Sequence, residues 1–110
     1  MIRDDSVYID DIIQSIQIIQ EYLEGKTESD FEASLLLQDA VYRRFEIIGE
    51  AATKISEKLK ESYPEIEWRL MKLMRNKLIH EYFGISPATI FATVKEDLPR
   101  LLQKLSQIVY

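Results

Sequence analysis

Ile9-Asp10-Asp11-Ile12-Ile13-Gln14-Ser15-Ile16-Gln17-Ile18-Ile19-Gln20-Glu21-Tyr22-Leu23 is the stretch on which the fold turns. So many isoleucines suggest a strand, because β-branched side chains suit a pleated surface. The spacing says otherwise. Ile9, Ile12, Ile13, Ile16, Ile19 and Leu23 keep to helical intervals, and the Asp and Gln residues between them break any period of two. The segment is therefore predicted to be an amphipathic helix with one buried stripe. Asp4 or Asp5 is placed to cap its start and Gly25 to end it.

The same period continues outward from this helix. Residues 26–30 form a short polar link, and Ser29 with Glu32 fits a capping box for a second helix, expected from about Asp30 to about Lys60. Its stripe is Phe31, Leu35, Val41, Phe45, Ile48, Ala52, Ile55 and Leu59. Gly49, Ala51 and Ala52 lie in its middle. A mid-helix glycine costs on the order of 1 kcal/mol against alanine, which is tolerable where another helix crosses closely. At about 30 residues the helix exceeds the usual 8 to 20, so its ends are expected to project beyond a monomer core.

Pro64 ends that run, and Ser62 with Glu65 offers a further capping box. A third helix is expected from about Pro64 to Tyr82, with Ile66, Leu70, Leu73, Met74 and Leu78 on one face and Gly84 as its stop. Ser86-Pro87 reads as an N-cap followed by proline at the first helical position. The fourth helix then runs through Ile90, Val94, Leu98, Leu101, Leu102, Leu105 and Val109, with a kink at Pro99. Four amphipathic helices with short connections predict an all-α antiparallel bundle, a single domain over residues 1–110.

Composition narrows the chemistry. Hydrophobic residues make up 46% and charged residues 30%, a globular balance. With no cysteine, disulfides, thiol catalysis and thiolate metal sites are excluded. A single histidine argues against a zinc site, and no metal is expected. The N-terminus lacks the basic-then-apolar order of a secretion signal, and no apolar run approaches the roughly 20 residues of a membrane span. A soluble, cytoplasmic protein is the expectation. A net charge of −5 disfavours a general nucleic-acid binder. The charge is uneven, however: Arg69, Lys72, Arg75 and Lys77 follow one another with no acid until Glu81, and Arg43-Arg44 is a second basic pair. Such a strip suits an anionic ligand meeting one surface, or it is a solvated helix face.

Chemistry concentrates in Arg75-Asn76-Lys77-Leu78-Ile79-His80-Glu81-Tyr82. A permanently charged guanidinium, the chain's one imidazole and a phenol lie within these eight residues. These groups bind a phosphate and move protons around it. On an ideal helix Asn76 and His80 share one flank of the apolar stripe, and Arg75 and Tyr82 share the other. Arg75 and His80 then stand about 140° apart. To meet one ligand, either the helix frays before His80 or a second copy supplies the missing group across a two-fold axis. The plainer alternative is a helix-end histidine facing the dipole, with a solvated arginine and a tyrosine closing the bundle end. No glycine-rich loop is present, and Asp4-Asp5, Asp10-Asp11 and Glu96-Asp97 diverge on helices, as helix starts and solvated faces do.

Several ordered blocks resemble the HepT-like toxins, small members of the HEPN superfamily of ribonucleases. Gln38 to Ala52, including Arg43-Arg44-Phe45-Glu46-Ile47-Ile48-Gly49-Glu50, resembles that family's second-helix signature. Pro64 to Arg69 resembles the start of its third helix, Arg75 to Gly84 its R-x4-H-x-Y motif, and Thr93 to Pro99 its final helix. One departure is Glu81, where a small residue is common; an acid there weakens local affinity for phosphate. The resemblance implies a HEPN-like fold and a metal-independent endoribonuclease without cofactor, homodimeric, with its cleft at the dimer interface. It also implies the toxin of a type VII-like toxin–antitoxin pair, acting on tRNA or mRNA. Arg75 would neutralise the phosphate, His80 would act as general base or acid, and Asn76 would orient groups. Tyr82 would line the cleft or accept AMP from a cognate minimal nucleotidyltransferase antitoxin, with which the chain would form a hetero-oligomer. Arg43, Arg44, Glu46 and Lys77 are further candidates to contact RNA, the first three also explicable as a charged helix surface. Two other readings stay open: a non-catalytic helical partner that positions a nucleotidyltransferase, and a plain dimerisation module.

Overall fold

A computed structural model of the chain describes residues 4–75 and 86–110. Within them the fold is all-α. The first helix, α1, spans Asp5–Tyr22, and the Asp4 side chain accepts from the Val7 N–H at its start. Ile9, Ile12, Ile16, Ile19 and Leu23 are buried, so the period that decided helix over strand also names its inner face. Ser15 is buried with them, while Ile13 is only partly covered. Gly25 follows at φ +70°, a left-handed conformation that favours glycine.

The long second helix of the sequence reading is three helices: α2 (Glu28–Glu32), α3 (Leu35–Thr53) and α4 (Glu57–Ser62). Each restarts on a hydroxyl cap that the apolar pattern conceals. Thr27 forms the capping box of α2 with Asp30, not Ser29 with Glu32. Ser34 accepts from Leu37 N–H to open α3, and Ser56 accepts from Leu59 N–H to open α4. The breaks reset the helical register. Leu35, expected inside, is therefore 75% exposed, while Phe31, Val41, Phe45, Ile48, Ala52, Ile55 and Leu59 are buried as expected. Asp5 ties the start of α1 to that of α4, accepting from both the backbone N–H and the hydroxyl of Ser56.

The third helix starts later than predicted. Ser62 spends its hydroxyl on the Lys58 carbonyl, so the box with Glu65 does not form. The chain turns through Pro64 and begins α5 (Trp68–Leu73) without a side-chain cap. Met71 and Met74 are fully buried beneath it. Leu70 and Leu73 are only partly covered.

The final stretch opens as read, with Ser86 accepting from Thr89 N–H and Pro87 in the first turn of α6 (Pro87–Ala92). A π-helical turn, Thr93–Asp97, joins α6 to α7 (Leu98–Leu105). There the Leu98 N–H donates to the Thr93 carbonyl five residues back. Pro99 follows in the first turn of α7, where its missing N–H does least harm. The helix stops at Leu105, so Val109 lies outside it and is 78% exposed. Lys95 reaches across to donate to the Leu23 carbonyl, satisfying an acceptor at the C-terminal end of α1.

One core joins these pieces: α3 packs against α1 and α5, α1 also meets α7, and α2 meets α6. No helix among the described residues is long and apolar enough to cross a membrane.

Candidate functional site

Arg75 sits where α5 has just ended against the middle of α3. Met74 is the C-cap, and the Arg75 N–H reaches back only to the Lys72 carbonyl at 3.4 Å. The straight helix that set Arg75 and His80 140° apart therefore does not run through Arg75. Asn76, Lys77, His80, Glu81, Tyr82 and Gly84 lie outside the described residues.

Gly49 is what lets the two segments meet. A Cβ built on it would stand 2.4 Å from Arg75 Cγ and 2.7 Å from the Arg75 backbone nitrogen. No side chain fits there without moving backbone. The mid-helix glycine thus marks a close crossing, as its sequence position suggested.

The next residue of the same helix, Glu50, forms an ion pair with Arg75, its Oε1 2.8 Å from Arg75 Nε. Both side chains are about half exposed, 44% for Arg75 and 56% for Glu50. A pair this open contributes little to stability. Its consequence is orientation. The approach is through Nε, and a guanidinium fork matches phosphate oxygens.

Glu46 lies four residues before Glu50 and on the same side of α3 by the helical repeat. Arg43 Nη1 approaches Glu46 Oε2 at 3.7 Å, an i,i+3 pair on the helix surface. That is the charged-surface arrangement the sequence allowed for. Glu46 nevertheless falls on the side of α3 that carries Glu50, and Glu50 holds Arg75. Arg44, one residue on from Arg43, is turned about 100° away around the axis.

Beside Arg75 opens a groove of about 850 Å³ between α3, α4 and α5. Among the described residues its charged and aromatic walls are Lys60, Trp68, Arg69, Lys72 and Arg75, with Glu57 as the single carboxylate. Glu57 is itself engaged with Lys60 at 3.7 Å. Arg69, Lys72 and Arg75 of the basic strip read from the sequence thus share one wall of a concave surface while remaining exposed. Trp68 is fixed by its indole N–H, which donates to the Tyr63 carbonyl at 3.0 Å.

Three participants had not been singled out from the sequence. Glu50 stood inside the quoted signature, four residues from Glu46 and next to the unusual glycine, and those two signals mark it in retrospect. Trp68 and Lys60 carried no such signal, because the turn between α4 and α5 is what brings them together.

Comparison with known proteins identifies a family. The family model described as "Ribonuclease HepT-like" matches residues 12–108. A Methanocaldococcus jannaschii protein named "Gamma-glutamylcyclotransferase and putative RNase MJ0434" is 41% identical over 109 residues. That match covers 99% of this chain, which spans about half (49%) of the relative's length. A Thermococcus cleftensis protein named "Probable ribonuclease HepT" is 42% identical over 108 residues, covering 98% of each chain. No solved structure matches the chain.

Proposed function

The chain belongs to the ribonuclease HepT-like family, and from that premise we propose that it is a metal-independent endoribonuclease, the toxin of a toxin–antitoxin pair. The observation that supports this reading most is the Arg75 guanidinium, held through Nε by Glu50 at the head of a basic groove in an otherwise acidic protein.

In the proposed reaction the 2′-hydroxyl oxygen of RNA bonds to the adjacent phosphorus while the bond from phosphorus to the 5′-oxygen breaks. One proton leaves the 2′-hydroxyl and one arrives at the departing 5′-oxygen. The products are a 2′,3′-cyclic phosphate and a 5′-hydroxyl end. His80 moves one of these protons as general base or acid. Arg75 offsets the charge that develops on the phosphoryl oxygens, and Asn76 orients the reacting groups by hydrogen bonding. DNA, lacking the nucleophile, is not cut.

Tyr82 is the proposed brake. An adenylyl group transferred to its phenol by a cognate nucleotidyltransferase places a bulky anion beside Arg75 and His80, excluding a substrate phosphate by charge and by volume.

The test is to incubate wild type and His80→Ala with total RNA in EDTA and to analyse the product ends. Cleavage by wild type alone, leaving cyclic phosphate, is expected. No cleavage by protein whose Tyr82 is unmodified by mass would replace the ribonuclease with a non-catalytic partner of the nucleotidyltransferase.

A further inference from the structure

We infer that the groove beside Arg75 is a binding track for single-stranded RNA, carrying the nucleotides next to the scissile phosphate along Lys72, Arg69 and Lys60 and past Trp68. The inference rests on the ribonuclease reading for its direction, since it takes Arg75 as the point where the track meets the reacting phosphate.

Among the described residues, four cations and one carboxylate line this groove in a chain whose net charge is −5. The carboxylate, Glu57, already faces Lys60 and is 81% exposed, so it opposes an incoming anion little. Arg69 and Lys72 are exposed and face no described carboxylate within ion-pair distance. By the helical repeat Lys72 lies one turn beyond Trp68 on the same side of α5, with Arg75 following just past the helix end. One aromatic ring thus stands beside a run of cations along one wall.

The ring beside the cations favours a single strand over other polyanions. Bases of an unpaired strand stack on aromatic rings while its phosphates follow the cations, and such stacking tolerates any sequence. A duplex hides its base faces and is recognised mainly by shape across its minor groove. An acidic peptide would use the cations alone, leaving the indole only its packing against the core. The indole N–H is already satisfied by the Tyr63 carbonyl, which holds the ring in place before any ligand arrives.

Trp68 is the chain's single tryptophan, so its fluorescence reports on this groove alone. The experiment titrates wild type and an Arg69→Ala/Lys72→Ala variant with a short 2′-O-methyl oligoribonucleotide, which lacks the attacking hydroxyl and stays whole. Polyglutamate of equal charge is titrated in parallel, and cleavage of unmodified RNA by both proteins is measured. The expected result is a saturable change in Trp68 fluorescence with the oligonucleotide. The double variant should bind roughly tenfold more weakly, its salt dependence shallower by about 0.7 for each phosphate contact removed. An Arg69→Lys/Lys72→Arg variant keeps both cations and should keep the slope.

Unchanged affinity and slope in the alanine variant would overturn the track. So would an equal response to polyglutamate, which would make the groove a docking site for acidic protein. If wild type cuts RNA while the alanine variant binds and cuts equally well, the track fails and the ribonuclease stands. If wild type cuts nothing while fluorescence and slope behave as expected, the track stands and the ribonuclease fails.

Discussion

Gly49 carries the most consequence of any single residue in the described structure. In a free helix, replacing glycine by alanine gains roughly 0.5–1 kcal/mol, because alanine loses less backbone freedom on folding. Here the new methyl would strike the Arg75 backbone, and crowding of that kind costs about 1–3 kcal/mol. The backbone contact at 2.7 Å decides the sign, since a flexible side chain yields and a backbone nitrogen does not. Gly49→Ala is expected to lower Tm by several degrees in a thermal melt, roughly 4–8 °C per kcal/mol for a domain of this size. It should also cut RNA cleavage more than the lost stability explains, because the displaced atoms belong to Arg75. A variant as stable and active as wild type would show that the crossing is looser than the contact indicates.

Among the helices, side-chain caps open α1, α2, α3, α4 and α6, and the capping carboxylates make this pH-dependent. Asp30 accepts the Thr27 N–H at 2.9 Å, and that bond, with the Thr27 side chain, holds its carboxyl below the ordinary value of 3.8. Asp4 is lowered likewise, by the Ser6 hydroxyl first and then the Val7 N–H. A carboxyl with a lowered folded pKa binds fewer protons folded than unfolded in the window between the two values. Its contribution is therefore fully present above the unfolded pKa and is lost as pH falls through the folded one. Urea unfolding should show stability flat from pH 7 to about 5 and falling below about 4. Asp30→Asn keeps an oxygen acceptor and removes the titration, so its decline should be shallower. Parallel acid profiles for the two proteins would mean that the box contributes nothing to acid sensitivity.

At the scale of the whole molecule, we propose that the cleft lies between two copies of the chain, with Arg75 and His80 of both chains meeting at the two-fold axis. Such a site has a distinctive signature. Arg75→Ala and His80→Ala should each abolish cleavage as homodimers. A mixed dimer in which one chain supplies Arg75 and the other His80 retains one intact site. Co-refolding the two inactive variants is therefore expected to restore a substantial fraction of wild-type activity, read against the heterodimer fraction by native mass spectrometry. Failure to restore any activity in confirmed heterodimers would assign both groups to one chain.

The sequence by itself determined the helices' existence, their inner faces and the residues of the motif. Ile9, Ile12, Ile16 and Ile19, or Val41, Phe45, Ile48 and Ala52, declare a buried stripe because helical periodicity is a local property that the chain carries wherever it folds. The family is legible for the same reason, since its signature blocks are contiguous. Only the tertiary structure decided where the long second run breaks. Ser34 and Ser56 cap helices in the middle of an unbroken apolar period, and a hydroxyl that caps is spelled like one that does not. It alone revealed Glu50 as the partner of Arg75, 25 positions away in numbering, and Gly49 as the reason the two can touch. It alone gathered Lys60 and Trp68 with the basic strip into one groove. Contacts between elements depend on turns and crossings whose geometry is set by the packing of the whole core, and no local pattern encodes them.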